Sequence, residues 1–366
     1  MSELPPHLYG RPDDGRWPFS SALLGMRGTV APADSLLLER CFGSDAARWS
    51  DAMVTRMRRH LGGCVLAAEA ALRDRLSHAG EEGRALAAAL PDGLSWRALQ
   101  RRPGLLGRGL VDHFRDRAAI SLMAQEELSG IGQEASPAAD LFPIDIAADL
   151  AVLAQGEQRW ADERPDDAPM SLDLPAEELE QLVWTVMALV ADTVAPTRSL
   201  PVVEMAGLAD QAGRAMLADY DEGAAPLVLA ALLAHRLRGM GAGEEQLLWL
   251  ARHRHILALM GVLADRLGID IALLVSRIVE GPEYLLFHMC RAADFPREVA
   301  VRLMLGRRSI ARGVEDSVLV EYADGYDRLS REQAARAVAP LGFARSFREK
   351  LSVLRNWPAG AAADGR

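Results

Sequence analysis

The most regular pattern of apolar positions lies between residues 224 and 308, where short amphipathic segments follow one another. The segment after residue 255 has apolar residues at the i, i+3, i+4, i+7 and i+11 positions of one helix face: Ile256, Leu259, Met260, Leu263 and Leu267. Glycine or proline stops each segment, at Gly268, at Gly281-Pro282 and at Pro296. Helices of about a dozen residues are marginal alone in water, so they must pack on one another. The pattern predicts an all-α fold of stacked antiparallel helical hairpins, as an irregular solenoid or a helical array.

Weaker helical periodicity extends this prediction over most of the chain. Helices are expected over residues 81–90, 95–101, 110–128, 143–161, 201–219, 225–238 and 244–254. An earlier, long helix is expected to begin at Ser44 or Asp45 and to be weakened or bent at Gly62-Gly63. Asp173 is the expected N-cap of a further helix, and Ser330 with Gln333 matches a capping box.

Proline, glycine and charged residues divide the chain into five parts. They are an irregular N-terminal arm (1–32), an N-terminal helical domain (33–162), an acidic proline-rich linker (163–172), a C-terminal helical-hairpin domain (173–357) and a disordered tail (358–366). The linker is assigned because two prolines stand among acidic residues. The sequence leaves open whether it separates two independent domains.

Three segments carry a resemblance to a known family. They are Asp-Leu-Pro-Ala-Glu-Glu-Leu at 173–179, Ile-Leu-Ala-Leu-Met-Gly-Val-Leu-Ala-Asp-Arg-Leu-Gly-Ile-Asp at 256–270 and Cys-Arg-Ala-Ala-Asp-Phe-Pro at 290–296. Over roughly residues 173–308 the chain resembles an all-helical bacterial family described as domain of unknown function number 2336. The family has no established activity, so the resemblance implies a helical fold and no active-site residues.

Composition excludes several classes of protein. The net charge of −10 argues against nucleic-acid binding by bulk electrostatics. Lys350 is the only lysine, so the chain has no Walker A loop. The three cysteines, Cys41, Cys64 and Cys290, are far apart, which is typical of free thiols in a reducing compartment. No apolar run reaches the ~20 residues of a spanning helix, and the N-terminus does not resemble a signal peptide. A cytoplasmic protein without a membrane span is therefore expected.

The tetrad Arg252-His253-Arg254-His255 is the strongest candidate for metal chemistry. Residues i and i+2 of a helix lie about 200° apart, so the two histidines share a metal only where the helix breaks. A partly solvated helix junction is the favoured interpretation. No catalytic residue, cofactor or metal site is predicted.

Charge is distributed unevenly along the chain. Residues 291–355 carry thirteen basic and nine acidic side chains, whereas residues 1–290 have a net charge of −14. In the last predicted helix, three arginines share one face and three apolar residues share the opposite face: Arg345, Arg348 and Arg355, and Phe347, Leu351 and Leu354. Further arginines precede them at Arg302, Arg307, Arg308 and Arg312. A basic surface of this kind would suit an acidic protein partner or the phosphates of RNA or DNA. An ordinary solvated face, packed by its apolar side, is the favoured interpretation of this pattern by itself.

These observations together favour a non-enzymatic helical scaffold that binds a protein partner. Two alternatives stay open. One is a nucleic-acid-associated regulator that uses the basic C-terminal helix, and the other is an enzyme with histidines and acids converging between helices. The sequence identifies neither the partner nor the oligomeric state.

Overall fold

The computed structural model describes residues 41–42, 48–125, 138–162, 168–198, 202–311 and 316–344, and residues 346, 347, 350, 351 and 354. Within these residues there is no strand, and the isolated bridge between Trp49 and Ala311 is the only β pairing. The prediction of an all-α fold is confirmed. The predicted N-terminal arm and C-terminal tail lie outside the described residues.

The helices before the predicted linker are α1 (Asp51–His78), α2 (Gly80–Ala89), α3 (Leu94–Arg101), α4 (Arg108–Gln125), α5 (Ala138–Leu141) and α6 (Ile144–Ala161). Those after it are α7 (Ala176–Arg198), α8 (Val202–Ala218), α9 (Pro226–Gly239), α10 (Glu244–Arg252), α11 (Ile256–Leu267), α12 (Ile271–Glu280), α13 (Glu283–Ala292), α14 (Arg297–Arg308), α15 (Asp316–Gly325) and α16 (Arg331–Val338). Short 3-10 turns occupy Pro103–Leu105, Glu222–Ala224, Tyr326–Arg328 and Ala339–Gly342.

The N-terminal caps in the structure can be compared with those predicted from the sequence. Ser50, rather than Ser44 or Asp45, caps α1 by accepting a hydrogen bond from the backbone N of Met53 at 3.1 Å. The latter two positions lie outside the described residues. The Ser330 capping box is confirmed at the start of α16.

Asp173 does not cap α7, and this prediction is wrong. The helix begins three residues later at Ala176, whose backbone N donates to the carboxylate of Glu222 at 3.0 Å. The Asp173 carboxylate is buried and faces α4 and α6 instead. A local sequence pattern cannot show that a carboxylate from a residue 46 positions away occupies the helix start.

Helices from both sides of the predicted linker share one hydrophobic core. The central helix is α4, which packs against α1, α6, α7, α11, α12 and α14. Neighbours in sequence pack together, as in α7 with α8, but so do more distant helices, as in α9 with α11 and α13 with α16. The arrangement therefore includes contacts beyond those of successive hairpins. None of the helices in the described part of the chain is long and apolar enough to cross a membrane.

The described part of the predicted linker lies across α1. The backbone N of Met170 donates to the carbonyl O of Gly63 at 2.9 Å, and the Met170 side chain is buried. A Cβ on Gly63 would overlap this side chain. The helix is continuous through Gly62 and Gly63. The need for glycine at 63 therefore comes from the close approach of another segment, and the helix does not end there.

Candidate partner-binding surface

The C-terminal segment, residues 343–354, exposes large apolar side chains. Phe343, Phe347 and Leu354 are 43%, 52% and 70% exposed. The two phenylalanine rings contact each other edge to face, with their centroids 5.7 Å apart. The described residues at 346, 347, 350, 351 and 354 are helical. Of the apolar stripe predicted from the sequence, Phe347 and Leu354 face outward and Leu351 is half-buried. Phe343, which was not part of the predicted stripe, adds a third exposed apolar side chain.

The C-terminal segment is held at its base by buried residues. Pro340 and Leu341 are buried in the turn after α16, and the backbone N of Phe343 donates to the carbonyl O of Pro340 at 3.3 Å. Helix α16 itself packs against α13. The exposed phenylalanines therefore begin immediately after an anchored turn.

The structure gives different positions to the arginines of the predicted basic surface. Arg345, Arg348 and Arg355, and also Arg312, lie outside the described residues. Arg308 is exposed at the end of α14. Arg302 is mostly covered, with its side chain 10% exposed, and its Nη2 lies 3.2 Å from Glu298 Oε1.

Arg307 has a structural role in place of the expected surface role. It is 2% exposed, and its Nε donates to the carbonyl O of Ile278 at 2.7 Å. Its other nitrogens donate to the Glu283 carboxylate and the carbonyl O of Gly281. A cation placed at the carbonyl end of α12 is favoured by the helix dipole. Arg48, from before α1, donates to carbonyls at the same helix end.

The histidine tetrad forms the junction between α10 and α11. Arg254 has a φ of 60°, so the chain does break between the two helices. The rings of His253 and His255 both stack on Trp249, with centroid distances of 3.9 Å and 5.2 Å. Burial, followed by the nearby His253, lowers the pKa of His255 to about 4. Among the described residues, no group of three His, Cys, Asp or Glu side chains could hold a metal ion.

Glu157 was not identified by sequence reasoning and is the most perturbed carboxyl at this junction. It is 6% exposed, and its Oε1 accepts the backbone N–H of Leu257 at the start of α11. Its Oε2 lies 3.9 Å from His255 Nδ1. Burial raises the pKa of Glu157 to about 8. The carboxyl therefore caps a helix 100 residues away, a relation that periodicity does not reveal.

A second buried polar centre joins α1, α4 and α6. Arg117 Nη1 lies 2.8 Å from Asp173 Oδ1, and Trp160 Nε1 donates to Asp173 Oδ2 at 3.1 Å. The Arg117 guanidinium also lies over the Trp160 ring, 4.9 Å from its centroid. Arg56 and His60 bind the carbonyl O of Trp160. These side chains are buried, so the centre holds helices together and offers no accessible reacting group.

Comparisons with known proteins add no family to this description. The chain matches no family model, and no curated protein or solved structure matches it. The resemblance to domain of unknown function number 2336 stays a prediction, because these comparisons do not bear on it.

Proposed function

We propose that the protein is a non-enzymatic helical scaffold that binds an acidic protein partner through its C-terminal segment. The observation that carries the proposal is the outward-facing apolar stripe of Phe343, Phe347 and Leu354. Large exposed apolar side chains that lie together are typical of interaction sites, and aromatic residues are enriched in the centres of protein interfaces.

The sequence of the same segment supports an acidic partner. Between Phe343 and Arg355 the chain carries four basic residues, Arg345, Arg348, Lys350 and Arg355, and one acidic residue, Glu349. An acidic partner with an apolar groove would satisfy both features. Charge complementarity of this kind raises the rate of association and restricts the choice of partner.

A cytoplasmic location and a bacterial origin belong to the same proposal. All three cysteines are buried and none is joined in a disulfide, which suits a reducing compartment. The bacterial origin rests on the resemblance to domain of unknown function number 2336.

The test compares the full-length protein with two variants. Phe347→Glu places a charge in the apolar stripe, and the triple variant Arg345→Glu, Arg348→Glu, Arg355→Glu reverses the basic residues. Partners recovered by pull-down from the native cell lysate are identified by mass spectrometry, purified and titrated against each variant by calorimetry. We expect an acidic protein whose affinity falls at least about tenfold with each variant, as for interface residues that dominate binding.

The matched control is Val320→Glu on α15, where an apolar side chain is 60% exposed outside the C-terminal segment. It should bind like the wild type. Equal affinity of the purified partner for the wild type and both variants would refute the proposal. So would binding to a single-stranded RNA or duplex DNA of about 30 nucleotides, with an affinity that falls linearly in log–log against salt and no protein partner. That result would establish the nucleic-acid alternative.

A further inference from the structure

A second exposed apolar face lies far from the C-terminal segment in sequence, on α6 and α9. Three large side chains stand out: Ile144, Val152 and Leu232 are 84%, 50% and 58% exposed. Small exposed residues lie beside them on the same two helices: Ala148, Ala151 and Ala231. Alanine lets another helix approach closely, so this face is shaped for packing against a helix.

Helices α6 and α9 are adjacent and antiparallel. Arg236, near the end of α9, pairs with Asp145 and Asp149 in the first turns of α6. Pro226, at the start of α9, lies against Gly156 near the end of α6. These two contacts place Val152 and Leu232 at nearly the same level of the helix pair. The exposed apolar residues therefore form one continuous face.

Exposed charged side chains of opposite sign lie at the two ends of α6. At the N-terminal end the guanidinium of Arg236 forms ion pairs with the carboxylates of Asp145 and Asp149. At the C-terminal end the carboxylate of Asp173 forms ion pairs with the guanidiniums of Arg117 and Arg159. Asp145 and Arg159 are therefore exposed charges of opposite sign at the two ends of α6, and Asp162 is a further acidic residue at the second end. The exposed Asp145 and Arg159 side chains are 62% and 43% accessible to a partner.

Asp145, Val152 and Arg159 are spaced by seven residues and lie on one exposed stripe of α6. Val152 is the midpoint of this stripe. If a second α6 packs antiparallel across that midpoint, each Asp145 faces Arg159 of the other copy, about 10 Å from the centre on either side. Val152 then meets its own equivalent at the axis, and every other contact between the copies occurs twice, as a two-fold interface requires.

We propose that the α6–α9 face binds a second copy of this chain, with the two-fold axis at Val152. The self-complementary charges of α6 select this occupant over a partner of a single charge sign. The α6–α9 face and the C-terminal segment consist of different residues, so variants of each can be tested separately. The inference does not depend on the proposed function.

The experiment measures the mass of the full-length protein by light scattering during gel filtration, at several concentrations. We expect twice the chain mass of 39.7 kDa for the wild type and the chain mass for Val152→Glu. A second variant, Val152→Cys, should form a disulfide with its own equivalent under mild oxidation, because the two Cβ atoms lie close together at the axis. The native cysteines are buried and should not compete.

The controls are Val320→Glu and Val320→Cys, which alter a valine on α15 that is 60% exposed, compared with 50% for Val152. They should stay dimeric and should not cross-link. A wild type that has the chain mass at every concentration would overturn the proposal. A dimer that survives Val152→Glu, or one that is broken by Phe347→Glu, would overturn it as well, because the interface would then lie elsewhere.

Discussion

Helices α4 and α11 both lie in the interior, but they are buried by different means. In α11 the run from Ile256 to Ala264 is buried and entirely apolar. In α4 most residues are buried too, yet four of the five residues from His113 to Arg117 are polar: His113, Arg115, Asp116 and Arg117. The buried side chains from Ile256 to Ala264 in α11 need only apolar neighbours. In α4, by contrast, each buried charge needs a specific partner.

Two of the α4 charges, Arg115 and Arg117, have partners in distant parts of the chain. Arg117 pairs with Asp173, and Arg115 Nη2 lies 2.6 Å from Glu280 Oε1. Asp116 lies beside Arg115, and burial raises its pKa well above the ordinary value. A buried charge without a partner is strongly unfavourable. Removal of one partner therefore leaves the other charge buried and unpaired, which lowers the stability of the protein. The difference between the two helices predicts how each responds to substitution.

The largest effect is expected at Arg117. Arg117→Leu leaves the buried Asp173 carboxylate without its closest cation, and breaking such a pair should lower the free energy of unfolding by about 3–5 kcal/mol. Urea denaturation measures the change. The double variant Arg117→Leu, Asp173→Leu should recover part of the loss, since neither charge is then left alone. A loss smaller than about 0.5 kcal/mol, typical of surface positions, would show that Arg117 is not a buried charge partner.

In α11 and α12 the expected effect comes from lost packing. Leu263 and Leu274 are both fully buried, as the periodicity predicts. Truncation to alanine should lower the free energy of unfolding by about 2–5 kcal/mol at each position. The matched control is Leu105→Ala, where the side chain is 49% exposed and the loss should stay within about 0.5 kcal/mol. Equal effects at Leu105 and Leu263 would contradict the assignment of the core.

A smaller effect is expected where α11 approaches α9. A Cβ on Gly261 would lie 2.5 Å from the carbonyl O of Ala230. Gly261→Ala should therefore force the helices apart and cost about 1–3 kcal/mol. Gly207, inside α8, has nothing within 4 Å of its hypothetical Cβ. Gly207→Ala should instead stabilise the protein by about 0.5–1 kcal/mol. Effects of the same sign in thermal or urea melts would show that the close approach is not as described.

The same contrast separates what the sequence could predict from what it could not. The bounds of α11 follow from a local stripe and a terminating glycine, and both are visible within 13 residues. The roles of Asp173, Arg307 and Glu157 depend on contacts with residues from 24 to 100 positions away. A single sequence contains no sign of such pairings. For the candidate surface, the amphipathic spacing of residues 347–354 was visible, but the exposure of the stripe depends on what packs nearby.

The last prediction concerns the two buried polar residues at the start of α11, Glu157 and His255. Glu157 and His255 lie 3.9 Å apart, and burial shifts their pKa values in opposite directions. The folded pKa of His255 is lower than its unfolded value, so the unfolded state binds more protons. Its contribution to stability is complete above about pH 6.5 and is lost as the pH falls toward 4. The folded pKa of Glu157 is higher than its unfolded value. Its contribution is complete below about pH 4.5 and is lost as the pH rises toward 8.

Two variants should therefore change the pH dependence with opposite signs. When the pH falls from 7.5 to 5.5, His255 should lower the free energy of unfolding of the wild type. In His255→Gln this contribution of about 1–2 kcal/mol should be absent. Over the same range Glu157→Gln should lose about 2–3 kcal/mol more unfolding free energy than the wild type, because it lacks the gain that protonation of Glu157 supplies in acid. The measurement is urea denaturation at a series of pH values, and it compares slopes, so that a constant packing defect in either variant cancels. Parallel curves for the two variants and the wild type would mean that neither group titrates with a shifted pKa. A change of the same sign in both would mean that the pair responds as one unit, and the separate assignment of the two protons would then be wrong.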